Sequence, residues 1–196
     1  AIFERWLAER MQQDPKLATL KAAYEGLGTV VGASLTLGTV KLQRAAAANG
    51  AARRALLDDA ERIFLSIRQE AEGEPGFHLG LGQVYHRLGR PEEGDRELNG
   101  VIAGGDAGLR LAVAEAYREL GLDGRARQVA EAVFRDSPSA AKENAALAMS
   151  TLADEIEERE LWLGRADGSQ AFVRRSLEEV RAQRELLAGN DAAADS

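Results

Sequence analysis

The amino-acid sequence predicts an all-α fold, and three observations favour that class. Alanine, leucine, glutamate and arginine, which all have high helix propensity, dominate the 196 residues, whereas aromatic residues make up only 5%. Apolar residues recur at intervals of three and four positions, which is the spacing of one helix face. A short motif also returns after 32 residues, as Tyr85-x-x-Leu88-Gly89 and then Tyr117-x-x-Leu120-Gly121.

The composition argues against several functional classes. A formal net charge of −7 disfavours binding to nucleic acid or to an anionic membrane surface, because both require a basic face. The absence of cysteine excludes a disulfide framework, a thiolate zinc site and a cysteine nucleophile. The longest uncharged run, Gly26 to Val40, is shorter than the roughly 20 apolar residues of a transmembrane helix, so we expect no membrane insertion. We therefore predict a cytoplasmic protein, with the periplasm left open.

The N-terminal part of the chain predicts a capping helix followed by the first helix of an array. Apolar residues with helical spacing predict a short N-terminal helix or cap over 1–13. Asp14-Pro15 is typical of a helix start, and Tyr24-x-x-Leu27-Gly28 follows as a degenerate copy of the motif. The glycine-rich segment 26–32 lacks the preceding strand and the Gly-Lys-Ser/Thr ending of a phosphate-binding loop, so we interpret it as a turn between helices.

The next segment is less regular. The pattern leaves the helix boundaries between 29 and 52 open, and a helix is predicted from about Arg53 to Glu70. This helix carries Ala60-x-x-x-Phe64, a small residue and a bulky one on the same face. Pro75 and Gly76 then separate it from the clearest part of the motif, at 77–138.

The segment 77–138 resembles tetratricopeptide repeats, which have a period of about 34 residues. In its first copy Leu81, Gly82 and Tyr85 occupy motif positions of helix A, and Gly89 is predicted to end that helix. Gly94 and Leu98 replace the usual alanine and phenylalanine of helix B. The resemblance implies an α-solenoid of stacked antiparallel helix hairpins, a superhelix with N- and C-terminal capping helices. The repeat array would cover 14–166.

Small residues at matching positions predict close helix packing within each hairpin. Gly82 and Gly94 in the first copy, like Ala114 and Ala126 in the second, allow helices A and B to approach closely. The remaining C-terminal sequence predicts a charged helix at about 140–165 with a break near Ala153. A capping helix is predicted within 167–188, from Ser169 to Leu187, and a disordered tail at 189–196.

Nothing in the sequence predicts catalysis, a metal or a cofactor. The two histidines, His78 and His86, are eight positions apart, whereas a metal-binding pair on a helix is typically spaced four apart. We interpret His78 as a packing residue and His86 as a surface residue. The carboxylates at 154–158 lack the order of a calcium-binding loop, and the arginines of the last helix alternate with glutamates, which predicts ion pairs within that helix.

The resemblance also implies a binding surface, because the concave face of such arrays, lined by the A helices, binds a peptide or partner segment. The positions that correspond to this face are Leu79, Gln83, His86, Arg87, Leu111, Glu115, Arg118 and Glu119. Neither lysine nor asparagine occurs among them, so the lysine–asparagine clamp that some members use for acidic C-termini is not matched. The mixture of charges predicts a partner segment of mixed charge, or a helix packed against Leu79 and Leu111.

The sequence therefore predicts a non-catalytic scaffold or adaptor of bacterial type that binds another protein. An alternative is a regulatory or sensory repeat domain of a larger protein whose effector domain lies outside this chain. Homo-oligomerisation through the edge helices, with Phe3, Trp6 and the last helix in contact, is a third expectation.

Overall fold

The computed structural model describes residues 30–166 and 171–194, except for the side chains of residues 139–140 and 189–194. Within these ranges the chain is all-helical, which confirms the predicted class. The helices are α1 (Val30–Ala46), α2 (Gly50–Ser66), α3 (Arg68–Ala71), α4 (Pro75–Arg87), α5 (Pro91–Gly104), α6 (Ala107–Glu119), α7 (Asp123–Asp136), α8 (Ser139–Leu152), α9 (Ile156–Arg165) and α10 (Ala171–Ala194). The helix predicted at 1–13 and the motif copy at Tyr24 lie outside the described residues.

The chain divides into two compact units, Ala1–Gly100 and Val101–Ser196, with the boundary inside α5. In the described part of the first unit, α1 packs against α2, and α4 packs against both. In the second unit, the helices from α6 to α10 pack consecutively, and α6 also contacts α8. None of the described helices is long and apolar enough to cross a membrane.

The core of the first unit is built around the ring of Phe64, which is fully buried. A Cβ atom added to Gly38 of α1 or to Gly80 of α4 would lie 2.6 or 2.4 Å from the Cζ atom of this ring. Phe77 contacts the ring edge-on, with the two centroids 6.2 Å apart. The missing side chains of two glycines on different helices therefore create the space that the aromatic ring fills.

A buried ion pair joins α1 to α2 in the same unit. Lys41 Nζ lies 3.2 Å from Asp59 Oδ2, and only 9% of each side chain is exposed. Arg62 donates to the other oxygen of Asp59 at 3.1 Å. Because a buried charge without a partner is costly, this pair favours one alignment of α1 against α2.

The hairpin formed by α4 and the first part of α5 confirms the predicted close approach at its glycines. A Cβ atom on Gly94 would lie 2.8 Å from the carbonyl oxygen of Gly82, and one on Gly82 would lie 3.2 Å from that of Gly94. In the second unit Ala114 and Ala126 are 3% and 0% exposed at the corresponding positions of α6 and α7. Small residues at these positions thus leave the backbones room to pack.

The same C-terminal cap ends α4 and α6. Gly89 and Gly121 have φ values of 79° and 72°, the left-handed conformation that glycine adopts most readily. The next residues, Arg90 and Leu122, each donate a backbone hydrogen bond of 2.9 Å to the carbonyl five positions earlier. The predicted helix end at Gly89 is confirmed.

The predicted break near Ala153 is also confirmed, since α8 ends at Leu152 and α9 begins at Ile156. Two arginines hold the backbone there. Arg127 of α7 donates to the Leu152 carbonyl at 2.7 Å and also pairs with Glu158, while Arg159 donates to the Ala153 carbonyl at 3.2 Å. These bonds satisfy carbonyl groups that the end of α8 would otherwise leave without an intrahelical partner.

Two helix boundaries differ from the predicted ones. The helix predicted at 53–70 begins at Gly50 and is interrupted at Ile67, whose backbone φ and ψ of −116° and 12° are not helical. The last helix begins at Ala171 and continues to Ala194, into the segment predicted to be disordered. Alanine has the highest helix propensity, and the alanines at 192–194 favour this extension. In the segment whose boundaries were left open, α1 ends at Ala46 and α2 begins at Gly50.

Candidate functional site

The four candidate positions on α4 lie on the side of the helix opposite its core residues. Phe77, Gly80, Leu81, Val84 and Tyr85 are buried on the core side. The candidate residues are all partly buried, and they are Leu79, Gln83, His86 and Arg87. Arg87 Nη1 donates to Gln83 Oε1 at 3.2 Å, so two of the four form a polar pair one turn apart. We call these four residues the α4 face.

The interpretation of His86 as a surface residue is wrong, because only 6% of its side chain is exposed. Its Nε2 atom lies 3.0 Å from Oδ1 of Asp95 on α5. The ring occupies the space that a side chain at Gly94 would need, with Cδ2 2.4 Å from the position of a Cβ atom there. His86 therefore stabilises the hairpin and offers a partner little surface.

His78 packs as predicted, and its contacts are also polar. Its ring lies edge-on to that of Phe77, with centroids 5.0 Å apart. Nδ1 lies 2.6 Å from Glu97 of α5, and Nε2 lies 2.8 Å from the carbonyl of Glu72. Arg68 donates to the same Glu97 carboxylate at 2.9 Å. Both histidines of α4 thus contact carboxylates of α5, which assigns them to hairpin packing.

The four candidate positions on α6 are more accessible. Glu115, Arg118 and Glu119 are exposed and Leu111 is partly buried, whereas Val113, Ala114, Ala116 and Tyr117 are buried on the other side of the helix. Arg118 donates through Nε to Glu115 Oε2 at 2.8 Å. This hydrogen bond lowers the pKa of Glu115, and the carboxylate in turn raises the pKa of Arg118. We call these four residues the α6 face. It carries the ion pair of Glu115 and Arg118, together with the acidic side chain of Glu119 and the apolar side chain of Leu111.

Sequence reasoning missed the corresponding side of α8, although the repeat spacing could have found it. A step of 32 residues from Leu111, Glu115 and Glu119 leads to Glu143, Leu147 and Thr151. Thr151 is exposed, and Glu143 and Leu147 are partly buried. The position that corresponds to Arg118 is Ser150, which is buried, so three of the four positions remain at least partly accessible on α8. We call these three residues the α8 face.

Among the residues that the structure describes, Arg181 and Arg184 near the end of the chain pair with α9, whereas the sequence predicted pairs within their own helix. Arg181 Nε donates to Glu160 Oε1 of α9 at 2.9 Å, and Arg184 pairs with the other oxygen of the same carboxylate. The hydrogen bond from Arg181 lowers the pKa of Glu160. Helical spacing alone favoured glutamates on α10, but α9 packs against α10 and supplies a nearer carboxylate.

The described part of the chain contains no group of three or more His, Cys, Asp or Glu side chains placed to hold a metal ion. No protein-family model matches the chain, and neither a curated protein nor a solved structure matches it at a significant level. The function proposed below therefore depends on the residues and their geometry.

Proposed function

We propose that this chain is a non-enzymatic protein-interaction module built from hairpins of the tetratricopeptide-repeat type. In this proposal α4, α6 and α8 are the A helices, the array covers 14–166, and α10 is its C-terminal cap. The partner is a segment of another protein, bound on the unburied faces of α6 and α8 in the second unit.

The observation that carries the proposal is how α6 divides its residues between two sides. Ala114 and Tyr117, which belong to the repeated motif, are 3% exposed. Glu115 and Ala116, which lie between them, stand where the first copy has Gln83 and Val84. Three of the four residues of the α6 face are exposed. Buried motif residues account for the fold, whereas exposed residues of varied chemistry provide the surface on which a partner can be selected.

The chemistry of the α6 and α8 faces favours a segment with both apolar and charged residues. Leu111 and Leu147 are partly buried, so each retains some apolar surface that a partner can cover. The charges of Glu115 and Arg118 largely neutralise each other, which leaves Glu119 and Glu143 as acidic groups beside the two leucines. A helix with one apolar stripe and flanking basic or neutral residues would match this pattern.

The proposal is tested by affinity capture with the wild-type chain and two variants, followed by mass spectrometry. The first variant combines Leu111→Ser with Glu119→Arg on the α6 face, which removes an apolar contact and reverses an acidic charge. The control is Glu131→Arg on α7, which makes the same charge change at an exposed residue outside the candidate faces. We expect the wild type and the control to capture the same partner, and the α6 variant to lose it while retaining its helical circular dichroism spectrum.

Two results would contradict the proposal. One is equal capture of every partner by the α6 variant and the control. The other is the absence of any specific partner for the wild type across lysates in which the chain is expressed.

A further inference from the structure

A cleft of about 400 Å³ lies between α9 and α10, on residues outside the three candidate faces. Its lining residues are Glu157, Glu160, Leu161, Gly164, Arg165, Arg181 and Arg184. The side chain of Leu161 is 54% exposed and lies beside this space. A Cβ atom built on Gly164 would have no neighbour within 4 Å, so the cleft is open at that point. The cleft therefore combines free space with an uncovered apolar side chain.

Two of the arginines share one carboxylate. The side chain of Glu160 is only 16% exposed, whereas those of Arg181 and Arg184 are 55% and 46% exposed. Each guanidinium has five N–H donors, and the bonds to Glu160 use only part of them. One negative charge cannot neutralise two positive ones, so a residual positive charge remains on accessible donors.

The third arginine is held in place by aromatic rings. The guanidinium of Arg165 lies 4.5 Å from the centroid of Trp162 and 5.8 Å from that of Phe134. Such cation–π contacts restrict the side chain without neutralising its charge. With Glu160 ionised between its two arginines, all three guanidiniums are positioned before any ligand arrives, and this reduces the entropy lost on binding.

We propose that this cleft binds an acidic segment of a partner protein, with carboxylates on Arg165, Arg181 and Arg184 and an aliphatic side chain over Leu161. The lining has three positive and two negative charges, which gives a local excess of one positive charge in a chain of net charge −7. At physiological ionic strength, charges more than about 8 Å away are largely screened, so the local arginines dominate at the cleft.

A protein segment fits this cleft better than a phosphate-bearing ligand. Charge alone does not separate the two ligands, because the arginines that line the cleft attract both carboxylates and phosphates. Leu161 gains nothing from a phosphate, but the burial of its exposed surface favours a ligand with an aliphatic side chain.

Binding can be measured by fluorescence anisotropy with a labelled peptide of repeated Glu-Glu-Leu units, acetylated and amidated so that its termini carry no charge. The matching peptide of Gln-Gln-Leu units and inorganic phosphate are the comparison ligands. We expect the wild-type chain to bind the glutamate peptide, to bind the glutamine peptide at least about tenfold more weakly, and to retain the glutamate peptide in millimolar phosphate.

Substitution of the arginines and substitution of the carboxylate that pairs with them should change the affinity for the peptide in opposite directions. Arg181→Ala with Arg184→Ala should weaken binding about tenfold or more, because two charge-assisted contacts are lost. Glu160→Gln should strengthen binding severalfold, because it keeps an acceptor for the arginines but removes the competing charge. Leu161→Glu changes an exposed residue, so the fold should tolerate it, and its charge should abolish binding.

The matched control is Arg174→Ala with Arg175→Ala, which removes two exposed arginines from α10 that do not line the cleft. It should leave the affinity unchanged. The proposal would be overturned if the wild type does not bind the glutamate peptide, or if this control weakens binding as much as the cleft variant does. Displacement of the peptide by phosphate, or weaker binding by Glu160→Gln, would also overturn it. None of these results depends on the α6 face, so the proposed function is tested separately.

Discussion

The two copies of the motif have the same spacing but pack their hairpins differently. In the first copy, Gly82 and Gly94 let the helices approach so closely that a Cβ on either would meet the other's carbonyl oxygen. In the second copy, Ala114 and Ala126 occupy the same positions and are buried. Because each already carries a Cβ atom, these helices cannot approach as closely as at the paired glycines. The motif thus sets where two helices cross, while the size of the residue at the crossing sets how close they come.

The copies also differ in what they leave accessible. His86 of the first copy is folded onto Gly94, and the rest of the α4 face is partly buried. In the second copy Glu115, Arg118 and Glu119 are all exposed. The closer hairpin therefore uses one of its candidate binding residues for packing, and the α6 face is the better candidate for a partner.

The largest effect should come from exchanging the residues at the crossing. We expect Gly94→Ala to lower the free energy of unfolding by about 2–3 kcal/mol, because the new methyl group would contact both a backbone carbonyl and the His86 ring. Ala126→Gly should cost only about 1 kcal/mol, mainly through the lower helix propensity of glycine. Urea denaturation followed by circular dichroism would measure both, and equal losses would remove the distinction between the copies.

A second substitution separates the two contacts made at Gly94. His86→Ala should destabilise the chain less in the Gly94→Ala background than in the wild type, because the contact between the ring and the new methyl group disappears while the contact with the Gly82 carbonyl remains. In a double-mutant cycle the coupling should be about 1 kcal/mol. No coupling would mean that the backbone contact alone limits the residue at position 94.

The helix ends provide a test of what the copies share. Gly89→Ala and Gly121→Ala should each destabilise the chain by about 1–2 kcal/mol, since both positions require a left-handed backbone. No atom lies within 4 Å of a Cβ added to either glycine, so the cost is conformational and should be nearly equal in the two copies. Thermal denaturation of the two variants side by side would detect any inequality.

The helix starts should behave differently in the two copies. Asp106 caps α6 by accepting a 2.9 Å hydrogen bond from the backbone N–H of Leu109, so Asp106→Ala should cost about 1 kcal/mol. Glu74, which precedes α4, makes no side-chain cap bond, and Glu74→Ala should change stability by only a few tenths of a kcal/mol. A comparable loss in both variants would contradict the difference between the caps.

The smallest expected effect is a pH dependence confined to the α6 face. Arg118 lowers the pKa of Glu115 from its ordinary value of 4.5. The pair's contribution is therefore fully present above that value and is lost as the pH falls through the lower pKa of the folded state. Because both side chains are exposed, Arg118→Gln should cost only a few tenths of a kcal/mol at neutral pH. This difference from the wild type should shrink as the pH falls below 4.5, and a difference that grew on acidification would contradict the assignment.

The sequence by itself determined the helical class, the end of α4 and the close crossing at Gly82 and Gly94. These features depend on the spacing of apolar residues and on the conformational freedom of single glycines, both of which can be identified within one or two turns of chain. The positions that the repeat resemblance implied are exposed on α6 at Glu115, Arg118 and Glu119, whereas on α4 they are partly buried and the side chain of His86 is only 6% exposed.

Only the tertiary structure decided which partners the side chains find across helices. His86 is buried because Gly94, on the next helix, leaves room for its ring. Arg181 and Arg184 contact Glu160 instead of the glutamates of their own helix, and the ring of Phe64 fits between Gly38 and Gly80 from two different helices. Each of these contacts depends on the distance between helices, which is set by packing and is not encoded in the period of any single helix.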